Sequence, residues 1–240
     1  DTMAPGVVGE DALPTTAVAA VVQHNTSGII SRKGEGMDTP KGLEGKKYAT
    51  WDAPIEKAMM ENVVEADGGD FSKVELIPST VTDEVSALES KSVDAIWIFY
   101  AWAGVATEVA GLETDYFAFK DINPAFDYYT PVIIGNNEFL EKEPETAKKF
   151  LSVVKKGYED AIEDPDGAAE ILCEAAPELD QELVKASQEY LKDQYIADAD
   201  RWGYIDPDRW NLFYNWLNEN GLTENEIPEN TGFSNEYLPE

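Results

Sequence analysis

The run Val93-Asp94-Ala95-Ile96-Trp97-Ile98-Phe99-Tyr100-Ala101-Trp102-Ala103-Gly104 constrains this chain more than any other. Four aromatic side chains fall within positions 97–102. The run is too apolar for a surface loop and well short of the ~20 apolar residues that a membrane-spanning helix needs. Its residue types are strand formers, so it reads as a buried strand. A short amphipathic stretch leads into it: Thr82 is expected to cap DEVSALES, whose Val85 and Leu88 mark one face.

The same alternation recurs before it. TTAVAAVVQ (15–23) and GIISRK (28–33) read as strands around the polar run HNTSG. YATW (48–51) is a further strand. Asp52 is expected to cap the helix that follows, with Pro54 in its first turn and Ile55, Met59 and Val63 at four-residue steps. KVELIPS (73–79) is another strand. Strand and helix in alternation argue for a parallel α/β sheet. After GVATEVAG and a loop, DYYTPVIIGN (127–136) reads as a return strand, and the chain turns helical from Pro144. Phe150, Val154, Tyr158 and Ile162 form one apolar stripe, and Trp210, Phe213, Tyr214 and Leu217 form another, ended by Gly221. Both stripes read as core.

Charge narrows the partners. Forty-eight acidic against eighteen basic residues give a net charge of −30 over 240 residues. Such a surface repels phosphate backbones and anionic lipid heads, so no nucleic acid and no direct lipid contact are expected. The acids are interspersed with apolar residues at helical spacing, the mark of a folded, strongly solvated protein. Cys173, the single cysteine, lies in the helical AAEILCEAA and reads as a small core residue. One cysteine and one histidine, His24, do not make a zinc site from those ligands. No metal, cofactor or catalytic residue is expected, and any targeting segment is expected to lie outside this sequence.

Several phrases carry a family resemblance. ALESKSVDAIWI resembles the helix-then-strand signature of substrate-binding proteins of bacterial ABC importers. QHNTSG, KYATWDAPIEKAMM, WIFYAWAG and DYYTPVII, in that order, resemble the thiamine-precursor-synthesis-like family among them. The resemblance spans nearly the whole chain. It implies an α/β, two-lobed type II periplasmic-binding-protein fold, with residues 1–33 opening lobe 1, 34–127 forming lobe 2, and 128–240 returning to lobe 1 and its C-terminal helices. Family members begin with further strand–helix units. DTMAPGVVGEDALP resembles the helix and loop before the family's fourth strand, so lobe 1 is expected to lack its first units here.

The resemblance implies a role in transport: capture of a small flat heteroaromatic solute, thiamine-pyrimidine-precursor-like or otherwise vitamin-like, in the cleft between lobes. The loaded protein would be presented to an ABC permease in the membrane, from an extracytoplasmic position with lipoprotein-type anchoring through a segment outside this chain. The alternatives are a pyrimidine-synthase-like enzyme of the same fold and a ligand-sensing domain without a transport role. The family's fungal synthase uses a cysteine-rich run, a sacrificial histidine, iron and pyridoxal phosphate. Cys173 alone cannot supply that run, and His24 is the sole possible donor.

In open α/β sheets ligands bind beyond the carboxyl ends of the strands. Alternation along the aromatic strand puts Trp97 and Phe99 on one face and Ile98, Tyr100 and Trp102 on the other. Tyr100 and Trp102 fall at the carboxyl end, an aromatic platform for a flat ring with a phenol as polar handle. Trp51 repeats this at the end of its own strand, beside a helix N-terminus to which Thr50 adds a hydroxyl. Asn25, Thr26 and Ser27 are expected ligand contacts on the family resemblance, with His24 as a satisfied loop residue. Tyr129, before Thr130-Pro131, completes the expected set. Pyrimidine-binding relatives often carry an acid directly after the tryptophan, where this chain has Ala103. That departure weighs against an aminopyrimidine, with Glu108 as a possible substitute.

Overall fold

The computed structural model describes residues 3, 6–10, 12–79 and 81–239. Within these the chain divides into two compact units, residues 26–124 and residues 1–25 with 125–240. It passes from the second into the first between Asn25 and Thr26 and back between Pro124 and Ala125.

The unit spanning 26–124 is built on a five-stranded sheet. Its elements are β2 (Ser27–Arg32), β3 (Lys47–Thr50), α1 (Pro54–Ala66), β4 (Glu75–Pro78), α2 (Glu84–Glu89), β5 (Ala95–Phe99), α3 (Val105–Val109) and β6 (Thr114–Ala118), and β1 (Thr15–Ala20) precedes them in the other unit. The strand order is β4-β3-β5-β2-β6. The strands joined by helical crossovers, β3, β4 and β5, run parallel, as alternation predicts. β2 runs antiparallel to both β5 and β6, so the sheet is mixed where the sequence pointed to a parallel one. The stretch expected to be loop contains β6: Asp115 interrupts its strand-forming Thr114, Tyr116 and Phe117, and pairing with the distant β2 makes it a strand.

Gly28 on β2 leaves no alternative residue, because a Cβ there would lie 2.1 Å from the Phe117 carbonyl oxygen. One side of the sheet buries Ile30, Ala49, Ile96 and Ile98 against Leu88 and Val93. At its rim, buried Arg32 donates to the Leu88 and Val93 carbonyls, each at 2.9 Å, to Asp94 at 2.6 Å and to both carboxyl oxygens of Glu35. The guanidinium holds Glu35 down at about 2.

Two expected caps move by one residue. α2 is capped by Asp83, which accepts from the Ser86 amide at 2.9 Å, and Thr82 lies outside it. α1 begins after Ala53, and Asp52 adopts a left-handed φ of 65° and pairs with Lys57. Its carboxylate is therefore turned to the helix flank and does not cap.

The other unit pairs β1 antiparallel with β7 (Val132–Asn136) and surrounds them with α4 (Asn137–Lys142), α5 (Pro144–Glu163), α6 (Pro165–Ala175), α7 (Gln181–Leu191) and α8 (Pro207–Glu219). Leu151, Val154, Tyr158 and Ile162 of α5 pack around Trp202, which is fully buried and stacked on Tyr158 at 4.7 Å. Phe150, read as part of this stripe, is 58% exposed, because Leu151 occupies the core-facing position instead. α8 buries Trp210, Phe213, Tyr214 and Leu217 as its spacing predicts. Asp206 caps it by accepting from the amides of Asp208 and Arg209. Cys173 is buried beside Ala169 and Val184. Of the opening segment DTMAPGVVGEDALP, residues 1, 2, 4, 5 and 11 lie outside the described set. Among the described residues no helix is long and apolar enough to cross a membrane.

Candidate functional site

Strand direction gathers the expected residues of the 26–124 unit at one edge of its sheet. β3 and β5 are parallel and β2 is antiparallel to β5, so the carboxyl ends of β3 and β5 meet the amino end of β2. Thr50 ends β3 and Trp51 follows it, Tyr100 and Trp102 follow β5, and Ser27 opens β2 with Thr26 just before it. Ser27 pairs with Phe99, and the Thr26 carbonyl accepts from the Tyr100 amide at 2.9 Å and from the Tyr116 hydroxyl at 2.8 Å. Thr26 and Ser27 are buried, so they build this edge from beneath.

The aromatic residues at the edge separate into presented and supporting groups. Trp51 is 49% exposed, Trp102 44% and Phe99 45%. Trp97 underlies Trp51, edge to face with ring centroids 5.1 Å apart, and itself rests on Phe119 at 4.2 Å. Alternation holds through Phe99 and stops there, because residues 100–104 form a π-helical turn. π turns are rare, and those that occur are frequently at functional sites. It turns Trp102 outward and Tyr100 inward: the Tyr100 ring lies 4.7 Å from that of Tyr116 and directly over Gly104, where a Cβ would sit 2.5 Å from it. The Tyr100 hydroxyl donates to the exposed Glu108 carboxyl. The single acid that the spacing had raised as a substitute is thus joined to the predicted tyrosine.

The β3–α1 turn is held by a network that the sequence did not disclose. Glu56, 2% exposed, accepts from the Tyr48 hydroxyl at 2.7 Å, the Thr50 hydroxyl at 3.0 Å and the Ala53 amide at 3.2 Å. Thr50 in turn accepts from the Asp52 amide at 2.9 Å. Burial and the neighbouring acid push the Tyr48 hydroxyl far up, so it stays a neutral donor. The one readable signal was an acid in the first helical turn, which looks like ordinary capping.

Asn25 and Tyr129 belong to the other unit. The Asn25 side chain is buried and donates to the Phe126 carbonyl at 2.8 Å. Tyr129 is buried, its hydroxyl accepts from the Asp206 amide at 2.9 Å, and Arg209 lies 5.1 Å from its ring centroid. Tyr129 also helps line a cavity of about 360 Å³ with Tyr128, Val132, Trp210, Phe213 and Tyr214.

His24 sits between carboxylates, Nδ1 2.7 Å from Asp127 and Nε2 2.9 Å from Asp198. Both nitrogens can donate at once only when the ring is protonated. The Asp127 hydrogen bond is the largest influence and raises the His24 pKa, against burial and Arg209. A histidine raised on folding contributes stability that is complete below its unfolded value and lost as pH climbs through the folded one. Stability should therefore fall as pH rises above the ordinary histidine value of about 6.5, and His24→Gln should remove that part of the slope. Urea midpoints measured below and above that value check this, and an unchanged slope in the variant would refute it.

Among the described residues no cluster of His, Cys, Asp or Glu could hold a metal ion. What the geometry offers at the sheet edge is two separate exposed indoles on fixed strand ends, with buried polar groups behind them.

The architecture has solved counterparts. The periplasmic aliphatic sulphonate binding protein SsuA from Escherichia coli superposes with a TM-score of 0.64 at 14% identity, covering 90% of this chain and 71% of its own. This fold is periplasmic-binding-protein-like. The family model described as NMT1/THI5 like matches residues 7–168, and the chain belongs to that family. The formylaminopyrimidine-binding protein of Halalkalibacterium halodurans is 25% identical over 231 residues, covering 92% of this chain and 68% of its own. A 4-amino-5-hydroxymethyl-2-methylpyrimidine phosphate synthase of Saccharomyces cerevisiae is 24% identical over 188 residues, covering 71% of this chain and 52% of its own. The chain thus spans about two thirds of the first relative and about half of the second.

Proposed function

We propose that this chain is the non-catalytic solute-binding component of an ABC importer and that it captures a small, flat heteroaromatic molecule. The observation that carries this is the pair of half-exposed indoles, Trp51 and Trp102, on strand ends at one sheet edge. Exposed hydrophobic side chains scattered singly are ordinary, but ones grouped at one place, as Trp51, Phe99 and Trp102 are at this sheet edge, mark a candidate ligand-binding surface. Planar walls favour a conjugated ring over a sugar or amino acid, whose nonplanar shapes leave the ring faces half-used. The similarity to a formylaminopyrimidine-binding protein supports the same class of solute.

Ala103 and Glu108 refine the choice. With alanine after Trp102, a weaker preference for aminopyrimidines is expected than in relatives that carry an acid there, with flavin-type rings as one option, and Glu108, paired with the Tyr100 hydroxyl, is an exposed acid at this edge. The net charge of −30 disfavours a highly anionic solute. The partner is an ABC permease and the location extracytoplasmic, with anchoring through a lipid as the proposed arrangement. A synthase role finds less support: His24 is engaged by two carboxylates, and Cys173 is a lone, buried core residue.

A thermal-shift screen tests the proposal, with riboflavin, 4-amino-5-hydroxymethyl-2-methylpyrimidine, maltose and glutamate as probes. A true ligand raises the melting temperature in proportion to the logarithm of its concentration once above its dissociation constant. The planar probes should do so and the nonplanar ones should not.

A further inference from the structure

We propose that Glu56 is a positioning residue for Trp51, and that its buried carboxyl fixes the β3–α1 turn so that this indole is presented against Trp97. The inference rests on the reading of Trp51 as a ligand wall, and it adds the residue that sets the wall's position.

Three observations carry it. First, three donors and no acceptor converge on the Glu56 carboxyl: the hydroxyls of Tyr48 and Thr50 and the Ala53 amide. These fix the turn at its start and at its end. Thr50 adds a third tie by accepting from the Asp52 amide. Second, Tyr48, Thr50 and Glu56 are each at most 2% exposed, whereas Trp51, set between the ties, is 49% exposed. The turn is anchored everywhere except at the indole it displays. Third, Asp52 holds a left-handed φ of 65° although it is not glycine. Aspartate adopts this region more readily than most residues, and here the Asp52 amide bond to Thr50 holds it there.

A purely structural role is the competing account. A buried acid surrounded by donors is a costly way to start a helix, and an apolar side chain of similar volume often serves stability as well or better. What an apolar replacement cannot do is hold Thr50, Asp52 and Ala53 in one arrangement. The chemistry therefore fits placement of the turn better than stability alone.

The two accounts separate in a readout that needs no ligand. Two indoles 5.1 Å apart at 69° couple their transitions and give an exciton couplet in circular dichroism, which Trp51→Phe removes and so identifies. Glu56→Leu removes every acceptor at this point, so the hydroxyls of Tyr48 and Thr50 and the Ala53 amide lose their common anchor and the turn should relax. The couplet should fall to the Trp51→Phe level while the protein still melts cooperatively. If Glu56→Leu does not fold, Thr50→Val and Thr50→Ser decide the matter. The couplet should be lost in the first and retained in the second, which keeps the hydroxyl. Riboflavin affinity should drop by about two- to tenfold wherever the couplet is lost, the share of one stacking wall. A couplet that survives in Glu56→Leu, or in both Thr50 variants, would overturn the proposal. Loss of the couplet with no probe bound by the wild type would leave the positioning role standing and reject the ligand assignment instead.

Discussion

Removing Trp51 and Trp102 together, as Trp51→Ala with Trp102→Ala, is expected to abolish nearly all affinity for a planar heteroaromatic while leaving the fold intact. Each stacking wall contributes about 0.5–1.5 kcal/mol beyond the area it buries. One loss should weaken binding several-fold to tenfold, and two losses by up to roughly a hundredfold. The fold should survive because both indoles are about half exposed and neither fills the sheet's buried side. Trp51→Phe keeps a ring against Trp97 and should recover part of the loss. Calorimetric titration of the single and double variants measures this. Unchanged affinity in both single variants would remove the aromatic edge from the binding account.

Arg32→Met is expected to have the largest effect on stability, about 3 kcal/mol within the unit spanning 26–124. Arg32 is 8% exposed, and five of its hydrogen bonds end on Glu35, Asp94 and the carbonyls of Leu88 and Val93. Removing one partner of a buried ionic network strands the others, at a cost of roughly 3–5 kcal/mol. The lower end applies because Glu35 and Asp94 are partly exposed and can rehydrate. The two carbonyls have less recourse. Lys33→Met, which breaks the exposed pair with Glu113, should leave the urea midpoint close to that of the wild type. Equal, small effects in the two variants would show that the Arg32 network adds nothing beyond a surface pair.

The strands of the first half were legible because each is a short apolar run between polar turns. β1 to β5 appear close to their expected positions. β6 was not, although Thr114, Tyr116 and Phe117 are strand-forming types, because Asp115 interrupts them and the pairing that orders them is with β2, more than eighty positions earlier. The same division runs through the site. Trp51, Tyr100 and Trp102 announce themselves as aromatic side chains at strand ends. Whether each is presented or buried depends on a π turn and on Gly104 beneath Tyr100, which no periodicity encodes. Glu56 lay hidden in an ordinary first turn of a helix because its partners Tyr48 and Thr50 come from a strand. His24 was legible as a satisfied loop residue, but Asp127 and Asp198, which satisfy it, lie 103 and 174 positions away. Local pattern discloses elements and exposed chemistry, and tertiary contact decides what holds them.

The most direct measurement of the central claim is a calorimetric titration of the wild-type protein with riboflavin, 4-amino-5-hydroxymethyl-2-methylpyrimidine and maltose, side by side. The account predicts saturable one-to-one binding of at least one planar heteroaromatic and no heat of binding with the sugar. Tight binding of maltose with neither planar compound bound would contradict it.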